Sequence, residues 1–364
     1  MRKLLIVLVA IAVVLGLAWA GTEWLMANRL RNLAETDPGF EVQQVRMLRD
    51  PARIGVQMTA PRLGDTEAEG WAASSAMLWL SPKALNQLSF SPSDDQTLTL
   101  AGRQVPVQMQ AAAGSVRFSP TLSMAISNLT AGTGPVSVDG APLMQAMRLD
   151  AELVPGGYDA PKGAGATYRS RLTLTGLDPV VLTGQPLPVP GNLTFEGQAD
   201  VWLDHAPARD LFSEGLRPPR LIGLDLEQSQ LSLGDLSARV MGRVTGDDTG
   251  RPSGVVMIYT KDADRLVQAA ADAGLIRQNM VPLAMTAVRT LAASGSEPVE
   301  KPPADPDANP ALADIPTGLQ QPKRDTTPTF PAAAEGELRL PLHFQDGQIR
   351  LGPLPLGPAP VLFR

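Results

Sequence analysis

The side chains that most often bind metals or transfer protons are scarce in this sequence. His205 and His343 are its only histidines, and cysteine is absent. Asp204 beside His205, with Asp210 nearby, supplies scattered ligands without the regular spacing of a zinc site. We therefore interpret His205 as the solvated end of a strand, and we expect His343 to be exposed on a strand face. The sequence predicts neither a metal nor a cofactor.

One tripeptide, Asp248-Thr249-Gly250, matches the catalytic sequence of aspartic proteases. That chemistry requires two carboxylates that share a proton, and this chain has a single copy. Glycine, aspartate and proline around the tripeptide are typical of a turn between strands. The sequence contains no nucleophile elbow, phosphate loop or dinucleotide fingerprint. We predict a protein that is not an enzyme, with a hydrolase of unrecognised site as the minor alternative.

Charge and composition narrow the possible partners. The chain of 364 residues has a net charge of -6 and only 4% aromatic residues, and no basic stripe emerges, so we expect no nucleic-acid partner. Hydrophobic residues make up 44% of the chain, which is enough to bury a core. The 34 prolines and 33 glycines suit many short strands joined by turns.

The N-terminus carries a strong targeting signal. Arg2 and Lys3 precede the uncharged apolar run Leu4–Ala20, and this order favours a cytoplasmic N-terminus. Trp24 follows the run at the position of a membrane interface. We predict a signal-anchor or transmembrane segment over residues 1–24, a single pass through the inner membrane, and a bacterial periplasmic location for the rest.

A cleaved signal peptide is the alternative interpretation of the same segment. Ala18-Trp19-Ala20 fits the small-x-small pattern of a cleavage site. In that case the protein is secreted to the periplasm without an anchor. In the anchored case, residues 25–36 continue the helix until Asp37-Pro38-Gly39 stops it.

Beyond Gly39, alternation of apolar and polar residues dominates. Clear examples are 54–58, 98–109, 172–174, 193–203 and 231–244. A period of two with one polar face predicts half-buried strands of antiparallel sheet. We expect a mainly β fold with a few short helices, built as a large antiparallel sheet that is either curled or a sandwich.

Short helices interrupt the strands. Ser81 followed by Pro82 is typical of a helix start and predicts one helical turn. A clearer helical pattern near 262–292 predicts a pair of helices within a β-rich domain of residues 25–293. Residues 294–334 are rich in Pro, Asp and Ala without periodicity, and they predict a disordered insertion.

The last segment, 335–364, predicts a β-hairpin that completes the domain. Asp346-Gly347 lies between alternating strands and favours a type I′ turn. This turn pairs Gln345 with Gln348 and Phe344 with Ile349, so the apolar pairs share one face. Gly352 and Gly357 stand among prolines that cannot donate to a ladder. The end of the chain is therefore predicted to follow a sheet edge or to leave it as extended chain.

The closing sequence LPLHFQDGQIRLGPLPLGPAPVL resembles the C-terminus of the DUF2125 family of alphaproteobacterial proteins. Residues 220–293 resemble the same family in their order of strand, turn at Gly250-Arg251-Pro252, strand and helix. The resemblance implies the topology and an envelope location, and it implies no activity and no catalytic residues.

A fold-level similarity to AsmA-like envelope proteins implies a sheet that handles lipid. Two functions follow as expectations. The first is an envelope protein that contacts lipid or another apolar ligand, and the second is a non-catalytic scaffold that recruits envelope proteins. An apolar groove open to solvent would favour the first.

Overall fold

The computed structural model describes residues 2–65, 68–154, 159–183, 191–208, 218–247, 249–272, 276, 278–293, 330–352, 354–359 and 361–362. Side chains are described for these residues except 2–18, 65, 182–183 and 291–293. The chain divides into two compact units, Met1–Arg148 and Leu149–Arg364.

The first unit combines a long helix with short strands. The bounds are α1 Arg2–Thr36, β1 Phe40–Glu41, β2 Gln44–Met47, β3 Ile54–Thr59, β4 Arg62–Asp65, β5 Glu69–Ala73, β6 Ser75–Ser81, β7 Ala84–Pro92, β8 Asp95–Leu100, β9 Arg103–Met109, β10 Ala113–Ser119, a 3₁₀ turn Pro120–Leu122, β11 Ala125–Thr133, β12 Val136–Val138 and β13 Ala141–Met144. Strand β14, Ala146–Val154, contains the boundary between the units.

The described part of the second unit has longer strands and three α-helices. Its bounds are β15 Ala166–Leu177, α2 Pro179–Thr183, β16 Leu193–Leu203, β17 Leu221–Leu233, β18 Leu236–Gly246, β19 Pro252–Thr260, α3 Ala263–Asp272, a 3₁₀ turn Gln278–Met280, α4 Val281–Ala293, β20 Leu338–Gln345, β21 Gln348–Leu351 and β22 Leu354–Pro358. The prediction of a mainly β protein with few helices and large antiparallel sheets is confirmed.

In the first unit the chain alternates between two sheets. One is a seven-stranded sheet in the order β1-β4-β5-β8-β9-β12-β13. The other strands of the unit pair in the order β2-β3-β6-β7-β10-β11, and we call this series the ladder. Each crossing between them is short, as at Ala60-Pro61 and Ser93-Asp94. The unit is therefore a set of long hairpins, each bent where its strands pass from one sheet to the other.

The two sheets of the first unit meet through apolar side chains. Trp71 on β5 and Phe90 on β7 lie with ring centroids 5.8 Å apart in an edge-to-face arrangement. Val56 and Ala76 of the ladder are almost fully buried in the same cluster. This arrangement explains the alternation in the sequence, because each strand buries one face between the sheets.

The predicted curled sheet is not observed. In the first unit the strands bend sharply at the crossings, so the turning is concentrated in a few residues and does not spread along the strands. Among the strands that the structure describes in the second unit, β22 is the last of the sheet, and it pairs with β21 on one side. Pro355 and Pro358 lack the N–H groups needed to pair this edge with a further strand.

Two local predictions can be compared directly with the structure. Helix α1 ends at Thr36, as the sequence Asp37-Pro38-Gly39 predicts. The helical turn predicted at Ser81-Pro82 is wrong: these residues form a hairpin turn in which Ser81 pairs with Ala84. Proline with a preceding serine suits both a helix start and a β-turn, so the local sequence does not separate them.

Most side chains of the predicted anchor, residues 1–24, are not described by the structure. The backbone of residues 2–36 is a single helix, while side chains are described from Trp19 onward. Within the part of the chain that the structure describes, no helix combines the length and the apolar character needed to cross a membrane.

A buried carboxylate fastens α1 to the ladder. Glu23 is 1% exposed, and its Oε1 accepts hydrogen bonds from the backbone N–H groups of Gly55 at 3.1 Å and Arg49 at 3.3 Å. Further along the helix, Arg31 donates to the Val45 carbonyl at 2.9 Å, and Ala27 is buried against the ladder. We call the Glu23 contact the clasp. It fixes the helix beside the turn between β2 and β3.

In the second unit, helices α3 and α4 pack over the last strands. Val267 and Val288 from the helices are buried with Leu340, Leu351 and Leu354 from β20 to β22. The helices lie where the sequence predicts a helical pair. The hairpin between β20 and β21 has the predicted register.

The segment before β20 packs on the opposite face of the sheet. Phe330 contacts a cluster of Val255, Met257 and Tyr259, and the Tyr259 hydroxyl donates to the Pro331 carbonyl at 2.7 Å. The predicted disordered insertion, 294–334, lies outside the described residues except for 330–334, which pack in this way.

Glu337 ties this segment to β18. Its Oε2 accepts from Arg239 Nη2 at 2.5 Å, and the Ala334 N–H donates to the same carboxylate at 3.1 Å. The hydrogen bond from Arg239 lowers the pKa of Glu337 below its ordinary value of 4.5. The Arg239 guanidinium also lies 4.8 Å from the centre of the Tyr259 ring.

We predict that Glu23→Ala destabilises the protein by about 2 kcal/mol, because it leaves the buried N–H of Gly55 and the partly buried N–H of Arg49 without their acceptor. Glu35→Ala is the matched control, since Glu35 is an exposed acid on the same helix. The measurement is urea unfolding of the full chain in detergent, followed by circular dichroism. Equal midpoints for the two variants would contradict the clasp.

A second prediction concerns pH. Because the folded-state pKa of Glu337 is lowered, its contribution to stability is present above the unfolded-state pKa and is lost as pH falls through the folded-state value. Glu337→Gln should therefore destabilise the protein at about pH 7, and the effect should be smaller at about pH 3, below the ordinary pKa of the carboxyl. Urea midpoints at both pH values test this, with Glu335→Gln as the exposed control. A pH-independent effect of Glu337→Gln would count against the ion pair.

Candidate functional site

One face of strands β15 to β18 is apolar across neighbouring strands. Leu174 pairs with Phe195, and Phe195 pairs with Leu231 on the next strand. Further along β16 and β17, on the same face, Val201 lies opposite Leu224. We call this surface the apolar face. Its members are Leu172, Leu174, Phe195, Val201, Leu224, Leu226, Leu231 and Val240.

All eight members of the apolar face are partly exposed. Helices α3 and α4 cover the continuation of the same face on β19 to β21, where Leu340 and Leu351 are buried. On β17 and β18 the helices reach the hairpin end, where Ala269 packs on Leu236 and Leu233. Among the described residues, the buried clusters under the two helices include none of the eight. The helices thus divide one continuous surface into a covered part and a partly open part.

Polar groups are few on the apolar face. Tyr168 lies opposite Val201 and is 6% exposed, and burial raises its pKa to about 12, so the phenol stays neutral. Ser229 is 4% exposed, and its hydroxyl has no hydrogen-bond partner among the described residues. A buried hydroxyl without a partner is unusual in a protein interior. The face is therefore a wide apolar area, and the unpartnered Ser229 hydroxyl lies buried within it.

A glycine shapes the middle of the apolar face. Gly197 lies between Leu172 and Ser229 in the register. A Cβ at this position would lie 2.6 Å from the Phe195 ring and 2.6 Å from the Ser229 hydroxyl. The aromatic ring therefore occupies the space that a larger residue at 197 would fill.

The opposite face of the same strands is charged. Arg169 pairs with Asp200 through two hydrogen bonds of 3.0 and 3.1 Å. In the register, Asp200 lies opposite Asp225, which lies opposite Arg243. An acid–base pair of carboxylates needs environments that push their pKa values apart. Here each carboxylate has an arginine neighbour as counter-charge, an arrangement typical of a structural ion-pair row.

Arg243 ends this charged row in a partly buried position. Its guanidinium lies 4.5 Å from the centre of the Trp202 ring and donates to the Asp159 carbonyl. Burial lowers the pKa of Arg243 from its ordinary value. Trp202 is 2% exposed, so the stacked arginine helps to cover the indole. These contacts hold the loop before β15 against the sheet.

A separate concavity of about 390 Å³ lies in the first unit. Arg62, Thr97, Gln108 and Ser137 line it from neighbouring strands of the seven-stranded sheet. By the alternation of the strands these side chains lie on the polar face of that sheet. Arg62 and Gln108 are exposed. The concavity is thus an open polar surface.

The histidines lie apart from both surfaces. His205 is exposed, and its Nδ1 lies 2.8 Å from Asp204 at the end of β16. His343 is half-buried, so the prediction that it is exposed is wrong. Burial first, and then Arg350, lowers the pKa of His343. Among the described residues, no group of three or more metal-binding side chains comes together.

The structure places the predicted turn residues at the end of the sheet. Asp346 and Gly347 both have positive φ, 54° and 71°. Gly352 has φ 58° and turns the chain back, so that Gly357 lies in β22 and pairs with Ile349. The chain therefore does not leave the sheet after β21: it pairs as an edge strand. Asp248 of the protease-like tripeptide lies outside the described residues.

The predicted membrane-interface residues are only partly described. The side chains of Arg2 and Lys3 lie outside the description, while Trp24 is 57% exposed. The sequence analysis missed the clasp at Glu23, although an acid directly after an apolar run is a usable signal. It also missed Ser229, whose burial depends on neighbouring strands rather than on its own segment.

Comparison with curated proteins and with solved structures found no match. A comparison with family models found one. The model described as an uncharacterized protein conserved in bacteria, DUF2125, matches residues 50–303. The match includes the stretch before 220, where the sequence resemblance is weak, and stops before the closing hairpin. Since it covers more than half of the chain, the protein belongs to the DUF2125 family.

Proposed function

We propose that this protein is anchored in the inner membrane, lies mostly in the periplasm, and contacts lipid or another apolar envelope ligand. The observation that carries the ligand proposal is the apolar face of β15 to β18. Its eight side chains form a continuous surface, and each is partly exposed. An extended apolar surface of this kind is typical of an interaction site.

The chemistry of the apolar face fits an acyl chain. Burying apolar area stabilises a complex by roughly 25 cal/mol per Å², without requiring directional contacts. The face has leucine, valine and phenylalanine side chains in rows, and Tyr168 beside them stays neutral. Ser229 is only 4% exposed, so its hydroxyl adds little polar character to the open surface. A flexible hydrocarbon with few polar atoms satisfies these features better than a sugar or a nucleotide does.

The anchor proposal rests on the sequence before Glu23. The run Leu4–Ala20 is uncharged and follows Arg2 and Lys3. Trp24 and Leu25 are 57% and 51% exposed just past the run. Exposed aromatic and aliphatic side chains at this position suit the interface between lipid and water.

We assign no reaction to the chain. The carboxylates that face each other, Asp200 and Asp225, each have an arginine neighbour in the register. A scaffold that recruits envelope proteins is the second function. A scaffold could bind a partner by adding a strand to the sheet edge at β22. Pro355 and Pro358 disfavour this, because they cannot donate hydrogen bonds to an added strand.

The lipid proposal predicts co-purification of phospholipid with residues 21–364, a form that keeps Glu23. Native mass spectrometry without detergent measures it. Leu172→Asp places a charge on the apolar face and should lower lipid occupancy about tenfold or more. Thr173→Asp, on the opposite face of the same strand, should leave the occupancy unchanged. A lipid-free mass for the unsubstituted protein would sink the lipid proposal and favour the scaffold.

The anchor proposal predicts that the full chain stays in the membrane pellet after alkaline extraction. Leu8→Arg should release it, because arginine in the middle of a span costs about 2.5–3.5 kcal/mol of insertion. Leu33→Arg is the control on the same helix beyond the run. The intact mass gives an independent result: a chain that begins at Gly21 would mean a cleaved signal peptide and no anchor.

A further inference from the structure

The clasp positions one end of the ladder beside the end of the apolar run. Glu23 follows Ala20 by three residues, which is about 5 Å along a helix axis. Its carboxylate accepts from the N–H groups of Arg49 at 3.3 Å and Gly55 at 3.1 Å. The turn between β2 and β3, residues 48–53, therefore lies next to the helix directly after the predicted span.

The strand register shows which other connections lie at the same end of the ladder as the turn 48–53. Ile54 pairs with Leu80, and Leu80 pairs with Leu88. Gln87 then pairs with Arg117 near the end of β10. The connections 81–84 and 120–124 consequently lie at the same end of the ladder as the turn 48–53. We call these three connections and the first residues of β7 the anchor-side loops.

The anchor-side loops expose large apolar side chains. Leu85 is 62% exposed and Leu122 is 54% exposed. Trp24 and Leu25 are similarly exposed on the helix at the same end. Four large apolar side chains open to solvent at one end of a unit form a surface suited to the lipid–water interface.

Charge at this end is opposite in sign to that of the chain. Arg49, Arg53, Lys83 and Arg117 are exposed in or next to the anchor-side loops. The three connections, all described by the structure, contain one acid, Asp50, which lies 3.3 Å from Arg53. The whole chain has a net charge of -6. Cations between exposed leucines are complementary to anionic phospholipid headgroups.

We propose that the anchor-side loops rest on the phospholipid headgroup layer of the membrane that residues 4–20 enter. This inference depends on the proposed anchor and goes beyond it, because a flexible tether would leave the first unit free above the surface. The continuous helix α1 and the clasp instead hold the unit in one pose. Leu85 and Leu122 insert among the headgroups, and the cations pair with lipid phosphates.

The seven-stranded sheet supplies a matched control position. The crossings between the two sheets of the first unit lie at the end of the ladder away from the clasp. Strand β8 has six residues and β7 has nine, so Leu100 at the tip of β8 stays about 10 Å short of the anchor-side loops even if the strands run side by side. Leu100 is 57% exposed, which is close to the exposure of Leu85 and Leu122.

The test uses single cysteines in the full chain, which has none of its own. Leu85→Cys, Leu122→Cys and Leu100→Cys are labelled with a fluorescent dye and reconstituted into vesicles of phosphatidylcholine and phosphatidylglycerol. Lipids with a nitroxide on the headgroup quench dyes located within the interface. Because interfacial side chains sit about 5–10 Å into this layer, quenching at 85 and 122 should exceed that at 100 on the order of twofold. Phosphatidylcholine vesicles should give less quenching than mixed vesicles.

The outcomes separate the surface from the anchor. Equal, weak quenching at all three positions in protein that floats with the vesicles would overturn the docking surface and leave the anchor standing. Failure of the protein to float would overturn both. Quenching that does not depend on phosphatidylglycerol would overturn the role of the cations. Glu23→Ala, which removes the acceptor of the clasp, should reduce quenching at 85 and 122 without affecting flotation, and unchanged quenching would show that the clasp does not set the pose.

Discussion

Backbone hydrogen bonding constrains this protein more than any side-chain contact does. A buried N–H or C=O group needs a partner, and from Phe40 onward the chain finds partners mainly in antiparallel strands that are near in sequence. Successive hairpins satisfy the backbone locally and place apolar side chains on one face. The charged row, the apolar face and the clasp are all arranged on this framework. Even the clasp obeys the same constraint, since Glu23 supplies acceptors for backbone donors at a turn.

Much of the local structure could be predicted from particular residues. Asp346-Gly347 supplies the two positive φ angles of a tight hairpin, and the alternation on both sides then determines the register. Alternation also located the strands that form the apolar face, because Leu172, Leu174 and Phe195 repeat with a period of two. Such signals depend on neighbours in sequence, and for that reason they can be read from sequence.

Features that depend on distant neighbours could not be read in the same way. The crossings near Ala60 and Ser93 interrupt the apolar alternation in the same way as an ordinary turn does. Periodicity therefore does not show whether the chain passes into a second sheet or stays in a curled one. The partly open state of the apolar face depends on where α3 and α4 pack. His343 is half-buried because of what surrounds its strand, whereas its own alternation predicted exposure. The sequence therefore predicted an apolar surface and could not predict which part of it is covered.

The prolines in the edge strand β22 affect how copies of this protein can associate when they are close together. Proteins that are held at a membrane, as we propose for this one, are confined to two dimensions, where collisions between like surfaces are frequent. An unprotected strand edge would then join copies side by side into filaments by continuous hydrogen bonding. Pro355 and Pro358 remove donors from the outermost strand, while Leu354 and Leu356 stay buried beneath it. The edge thus remains well packed on its inner side and resists polymerisation on its outer side.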